Sequence, residues 1–372
     1  MRGPATDEVL IRRWHQVQDR IDAADAVGIL LGGGADLKYL TDYEAMPLER
    51  ITALVGRATA GIELPTLIVP ELEEARVRPR PSVYAVRTWG DTTDSATTIA
   101  SALPRRGRIM VSDNLWALHV LGLQRHAPNL EFVPISEAIG GLRSIKNSEE
   151  RDALAIVGAL ADKVVAQIQH GEIPLLGRTE AEIANDIADR LIAVGHDTVE
   201  FVIVASGPNS ASPHHDPGLR TVRPGEVVLF DFGGRFEGFC SDTTRCVHTG
   251  PASAEVLAAY EVLATAQEAA VQAAQPGRPL AEVDLAARRV INAAGYGDYF
   301  IHRVGHGIGA EIHEHPYVTE LNTAPVQVGH AFSIEPGIYI PDEWGIRLED
   351  IVVIEADGAR HCNHSNRALV EV

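Results

Sequence analysis

The chain has 372 residues, more than one hydrophobic core usually organises, so two domains are expected. Its 45% apolar and 22% charged residues are those of an ordinary soluble globular protein, not of a disordered or membrane-embedded one. A net charge of −19 with Lys and Arg scattered along the chain argues against nucleic acid and anionic membranes as partners.

Residues 1–140 alternate helical and strand patterns and predict a small α/β domain. Leu10, Trp14, Val17 and Ile21 recur at helical spacing and should form one buried face. The run A-V-G-I-L-L-G, ending in the glycine turn at Gly32 to Gly34, reads as a buried strand, and further strands are expected at L-P-T-L-I-V-P, S-V-Y-A-V-R-T-W and R-I-M-V-S-D. The histidines of this half, His15, His119 and His126, read as surface or capping residues. Ser148, ahead of Glu149 and Glu150, is the expected N-cap of a long helix that opens the second domain, residues 141–372. Helices are predicted over 149–170, 180–194, 252–274 and 280–294, with strands at V-E-F-V-I-V-A-S, V-V-L-F-D-F, F-S-I-E and I-V-V-I-E between and after them. Cys240, Cys246 and Cys362 form no metal-type pair and leave an odd one over, which fits a reducing compartment. No apolar run approaches the roughly 18 residues of a membrane span, and the start M-R-G-P-A-T-D-E lacks a signal peptide's apolar core. A cytoplasmic protein is therefore expected.

The second domain contains an internal duplication. Gly225, Asp231 and Gly233 of P-G-E-V-V-L-F-D-F-G fall on Gly329, Glu335 and Gly337 of V-G-H-A-F-S-I-E-P-G at one constant offset of 104. Upstream, G-R-T-E-A-E-I from Gly177 and G-R-P-L-A-E-V from Gly277 repeat at an offset of 100, as do Gly195 and Gly295. Each copy places a carboxylate at the end of an apolar strand and a second one within about a hairpin: Asp231 then Asp242, Glu335 then Glu349. Buried carboxylates are costly unless paired or metal-bound. Folded face to face, the copies would converge these acids, whose charge of about −4 two divalent cations would offset. His306, between Gly305 and Gly307, is the fifth candidate ligand. An oxygen-rich set with one nitrogen donor favours Mn²⁺, with Co²⁺, Zn²⁺ and Fe²⁺ also compatible.

The motifs D-F-G…S-D-T-T-R, G-H-G-I-G…H-E-x-P, I-E-P-G-I-Y and G-I-R-L-E-D, in this order, resemble those of the pita-bread metallopeptidases, which include methionine aminopeptidase, Xaa-Pro aminopeptidase and Xaa-Pro dipeptidase (prolidase). The N-terminal D-L-K-Y-L-T-D-Y resembles the non-catalytic domain of the proline-specific members. The resemblance covers nearly the whole chain. It implies an α+β protein: a duplicated, pseudo-twofold pita-bread catalytic domain behind a smaller creatinase/prolidase-type α/β domain. It further implies that Asp231 is a terminal ligand of one metal, that His306 and Glu335 bind the other, and that Asp242 and Glu349 bridge both, with a bridging hydroxide as nucleophile. Glu335 would shuttle the proton, His214 would contact substrate and steady the oxyanion, and His313 would stabilise the tetrahedral intermediate or leaving group. His302 would line the substrate site, and Arg347 would stand beside the bridging glutamate.

The implied reaction is hydrolysis of the bond between an N-terminal residue and proline in small peptides, by a homodimer. A dipeptidase needs a cation near the product carboxylate, which His215, His302, Arg303 or His315 could supply, whereas an aminopeptidase needs an open cleft. Chain length and the compact N-terminal domain resemble those of bacterial prolidase-like members, which implies the dipeptidase. A metal-free creatinase-like hydrolase or a retired peptidase acting as a binding scaffold would predict a broken ligand set, and all five positions are filled. His215, Ala310 and His315 depart from the family's usual residues and are expected to line or back the substrate pocket.

Overall fold

The computed structural model describes residues 5–58 and 64–372, and the side chains of all of these but Ala138 and Ile139. Residues 1–4, at the head of the stretch read above as lacking a signal peptide, lie outside the described residues. Two compact units, Met1–Arg143 and Ser144–Val372, divide the chain, against an expected junction after residue 140.

In the first unit six strands, β1 Gly28–Gly32, β2 Ala53–Arg57, β3 Thr66–Pro70, β4 Ala85–Trp89, β5 Gly107–Val111 and β6 Leu130–Pro134, form one mixed sheet in the order β4-β3-β2-β1-β5-β6. Its helices are α1 Asp7–Ala23, α2 Ala35–Thr41, α3 Ser95–Ala100, α4 Ala117–His126 and α5 Ile135–Ile139. Side chains alternate across a strand, so Ile29 and Leu31 join Leu10, Trp14, Val17 and Ile21 of α1 in one core, while Leu30 joins Ile99 and Leu123 in another on the opposite face. Strands β2 and β6 were not expected from the sequence. In β2 the interrupting residue is Gly56, where an added Cβ would lie 1.9 Å from the Trp14 ring; the glycine admits the helix onto the sheet.

The second unit contains α6 Ser148–Gln169, α7 Glu180–Val194, α8 Ala254–Ala273 and α9 Leu280–Ala293. The N-cap of α6 is Asn147 rather than the expected Ser148: its side chain accepts from the Glu150 N–H while Glu150 accepts from the Asn147 N–H, a reciprocal capping box that Ser148 could not close. The strands are β7 Thr198–Ser206, β8 Val227–Phe236, β9 Phe239–Cys240, β10 Thr243–His248, β11 Gly305–Gly307, β12 Glu314–Val318, β13 Ala331–Ile334, β14 Gly337–Ile340, β15 Trp344–Arg347, β16 Asp350–Glu355, β17 Gly358–His361 and β18 Val370–Glu371. One sheet runs β18-β10-β8-β7 with β9 beside β8, a second runs β12-β11-β13-β16-β17, and β14-β15 form a separate ribbon.

The duplication is a structural repeat. The antiparallel pair β8–β10 corresponds to β13–β16. Helices α6 and α7 pack Val164, Ile168, Ile183 and Ile187 under Phe230 and Phe232 of the first sheet. In the other copy α8 and α9 pack Leu263, Val283 and Ala287 under Phe332 and Ile334. The paired glycines share a left-handed backbone: φ is 77° at Gly177 and 86° at Gly277, and 80° at Gly225 and 93° at Gly329. Equivalent bonds tie the heads of α7 and α9, from Gly177 N–H to Val222 O and from Gly277 N–H to Val326 O.

Candidate metal centre and substrate cavity

Three of the four carboxylates sit where a strand ends or begins, whereas Asp231, expected at a strand end, lies mid-strand because β8 continues through Gly233 and Gly234 to Phe236. Asp231 lies within β8, Asp242 immediately before β10, Glu335 immediately after β13 and Glu349 immediately before β16. Bonds across the seam between the copies hold them: the Glu349 N–H donates to Thr244 O at 3.2 Å, and the Thr244 hydroxyl donates to Glu349 Oε2 at 2.7 Å. Arg245, buried below, donates to the Glu349 carbonyl and to Asp350. Asp242, His306 and Glu349 each offer a ligand atom, and these atoms lie within 4.8 Å of one another. His306 Nε2 is 3.3 Å from Glu335 Oε1 and 3.6 Å from Asp242 Oδ2. Ser333 joins two members, receiving the His306 N–H and donating to Glu335 Oε1. The fifth expected ligand, Asp231, receives Nη2 of Arg347 at 2.5 Å.

The electrostatics of this cluster are those of a cation site. Burial, and then repulsion from Glu349, Asp231 and Glu335, pushes the Asp242 carboxyl well above the usual range. Burial and its acidic neighbours do the same to Glu349. Burial also carries Glu335 up to about 7, against the pull of Arg347. His306 is held down at about 3 by burial and by His313 beside it, so its imidazole is neutral and able to ligate. Among the described residues Asp231 Oδ1 and Glu349 Oε1 are buried without a hydrogen-bond partner, an arrangement costly for an oxygen facing nothing and natural for one facing a metal ion. The residues present therefore fit divalent cations.

These five residues line a cavity of about 470 Å³, within the range of about 300–1,000 Å³ typical of small-ligand sites. The other expected site residues, His214, His302, His313 and Arg347, line it too, with Arg303 and the apolar Phe201, Ile203, Pro213 and Ile312. The His313 ring packs edge-on against His306 at 4.1 Å. His302, held down at about 3 by burial, is bonded to the Tyr339 hydroxyl at 2.9 Å and to the Arg303 carbonyl. The donors of Arg347 go to Asp231, to Thr244 Oγ1 at 3.0 Å, to Tyr339 Oη at 2.9 Å and to the Pro213 carbonyl. None of the three departures lines the cavity. His215 bonds Glu180, Ala310 gives its carbonyl to Arg235, and His315 packs on the Tyr317 ring.

Sequence reasoning missed Glu180. Fully buried at the start of α7, it accepts from the Ser206 N–H and hydroxyl, Asn209 Nδ2, the Gly218 N–H and the His215 ring, and so clasps both ends of the loop that carries His214. Despite burial, those bonds keep its carboxyl below the usual range. In the sequence it looks like any acid in a first helical turn, because its partners lie 26 to 38 residues away.

Residues 13–145 match the creatinase/prolidase N-terminal domain, and residues 149–356 match metallopeptidase family M24. The Xaa-Pro dipeptidase of Lactobacillus helveticus is 37% identical, over 90% of this chain and 91% of that protein. The crystal structure of dipeptidase PepE from Mycobacterium ulcerans superposes with a TM-score of 0.94 at 40% identity, covering 100% of both chains. A prolidase from Thermococcus sibiricus superposes with a TM-score of 0.89 at 35% identity, over 98% of this chain and 99% of that one. With its duplicated, pita-bread catalytic unit and its creatinase/prolidase-type N-terminal unit, the chain belongs to metallopeptidase family M24.

Proposed function

We propose that this metallopeptidase is an Xaa-Pro dipeptidase, cleaving the bond between an N-terminal residue and a following proline. The observation that carries the reading is one cavity lined by four carboxylates and a neutral imidazole together with the apolar Phe201, Ile203, Pro213 and Ile312. Similarity to the Xaa-Pro dipeptidase and prolidase above supports it. Asp231, Asp242, His306, Glu335 and Glu349 would hold two divalent cations, with Mn²⁺ favoured by the oxygen-rich donor set. Bound there, such cations supply Lewis acidity and make water nucleophilic at neutral pH.

The chain's own groups do the rest. Glu335, bonded to Ser333, receives the proton of the attacking water on a carboxylate oxygen and passes it to the leaving nitrogen. His214 donates to the oxygen that gains charge, and His313 assists the departing group. Neutral His302, fixed by Tyr339, completes the wall. Arg347 orients Asp231 rather than clamping substrate, since its donors are already engaged. Proline offers no N–H at the scissile bond, so selection rests on an apolar fit to its ring.

The reading includes a cytoplasmic homodimer. Cys240, Cys246 and Cys362 are free and buried, in keeping with a reducing compartment, and among the described residues no helix is long and apolar enough to cross a membrane. The decisive experiment strips metal with a chelator, assays Ala-Pro and Ala-Ala, and restores Mn²⁺. Turnover of Ala-Pro alone, lost on stripping and regained with Mn²⁺, is expected; undiminished turnover by chelated protein would overturn the proposal.

A further inference from the structure

A dipeptide carries a free carboxylate one residue beyond the scissile carbonyl, about 3.8 Å away between Cα atoms. That group must enter a cavity already lined by Asp231, Asp242, Glu335 and Glu349, and a cation is needed to hold it there. Of the four residues that could have served, three are committed elsewhere. His215 bonds buried Glu180 at 2.8 Å and does not line the cavity. His302 is neutral and bonded through both ring nitrogens. His315 does not line the cavity, and its ring packs 4.6 Å from that of Tyr317. Arg347 does line the cavity, but its nitrogens are engaged by Asp231, Thr244, Tyr339 and Pro213.

Arg303 differs. It lines the cavity, and its guanidinium lies over the Tyr317 ring at 4.3 Å; among the described residues no hydrogen bond or ion pair engages that guanidinium. Tyr317 is paired with His306 across β11–β12, and directly opposed residues of an antiparallel pair share a face, so the stack stands beside the candidate metal centre. Arg303 stands three positions before His306, at most roughly 10 Å of extended chain, which an arginine side chain helps to span. Stacking on an aromatic face fixes the plane of the fork while leaving its edge donors free, the arrangement suited to a carboxylate.

We propose that Arg303, braced by Tyr317, binds the free α-carboxylate of the substrate and thereby selects dipeptides over longer Xaa-Pro peptides. The inference rests on the Xaa-Pro hydrolase reading and adds the residue that sets product length. It is tested on full-length, Mn²⁺-loaded protein with Ala-Pro, Ala-Pro-amide and Ala-Pro-Ala as substrates. Wild type should prefer the free acid over both others, mainly through KM. In Arg303→Met, which keeps the aliphatic stem on Tyr317, the ratio of kcat/KM for acid over amide should fall at least about tenfold, and Arg303→Lys should recover part of it. Calorimetric binding of proline and prolinamide to the same three proteins gives the comparison without turnover, with the preference for proline lost in Arg303→Met. A wild type that cleaves amide or tripeptide as well as the acid, or an Arg303→Met protein that keeps the preference, overturns this inference and leaves Xaa-Pro hydrolysis standing. Inertness toward all three substrates overturns both.

Discussion

Arg347 donates from Nη2 to Oδ2 of Asp231 at 2.5 Å, while Oδ1 of the same carboxylate is buried without a hydrogen-bond partner among the described residues. One oxygen is thus neutralised by the protein and the other is left for a cation. Groups that orient a metal ligand typically contribute about 10–100-fold to metal affinity. Arg347→Met should weaken Mn²⁺ binding by about that factor in calorimetric titration, and should destabilise the fold by roughly 3–5 kcal/mol, because it strands a buried charge. Unchanged Mn²⁺ affinity in a folded variant would show that Asp231 needs no such support.

Glu349 is a liability without metal, since burial and neighbouring Glu335 and Asp231 oppose its charge. Glutamine keeps the oxygen that accepts from Thr244 and removes that charge. Chelator-treated Glu349→Gln should therefore melt higher than chelator-treated wild type, by a few degrees for each ~1 kcal/mol relieved. Added Mn²⁺ should raise the melting temperature of wild type far more than that of the variant. Equal Mn²⁺ stabilisation of both proteins would remove Glu349 from the ligand set.

Stability of the chelated protein should depend on pH in a stated direction. Glu335 has its folded value raised from 4.5 to about 7, so its contribution is fully present below pH 4.5 and is lost as pH rises through 7. Although burial opposes it, Asp350 is held down at about 2 by Arg245, His361 and Arg367, so its contribution is present above 3.8 and is lost as pH falls through 2. Thermal melts across this range should show the chelated protein weakening towards neutral pH and Mn²⁺ reversing that limb. A melting temperature that climbs steadily from pH 5 to 8 in chelator would contradict it.

Glu180 touches none of the candidate ligands, yet it clasps the loop that presents His214. Glu180→Gln would confront some of those donors with an amide N–H and leave buried groups unpaired, at a cost of about 1–3 kcal/mol. We expect kcat/KM to fall about tenfold or more while Mn²⁺ affinity stays at the wild-type value. Loss of both together would mean general unfolding rather than misplacement of His214.

The periodic elements were legible in the chain. Helix α7 spans Glu180–Val194 and α9 spans Leu280–Ala293 because apolar residues at helical spacing define both, with a Thr179–Glu182 capping box added at the head of α7. Strand β2 was not legible, because Gly56 reads as a breaker until Trp14 is seen lying on it. Asn147 displaced Ser148 as a cap because a capping box needs its partner at a fixed spacing, and only Asn147 stands three residues ahead of Glu150.

What the sequence determined by itself was the inventory: two copies of one strand-and-helix unit, each with two acids at matched places, and a histidine between glycines. What only the tertiary structure decided was which groups are spoken for. Arg347 reaches Asp231 across 116 positions, Thr244 reaches Glu349 across 105, Glu180 holds His215, and Arg303 is left facing the cavity on a tyrosine. Pattern and spacing report local backbone preference, which acts over a few residues. Pairing, burial and desolvation depend on neighbours that only chain closure supplies.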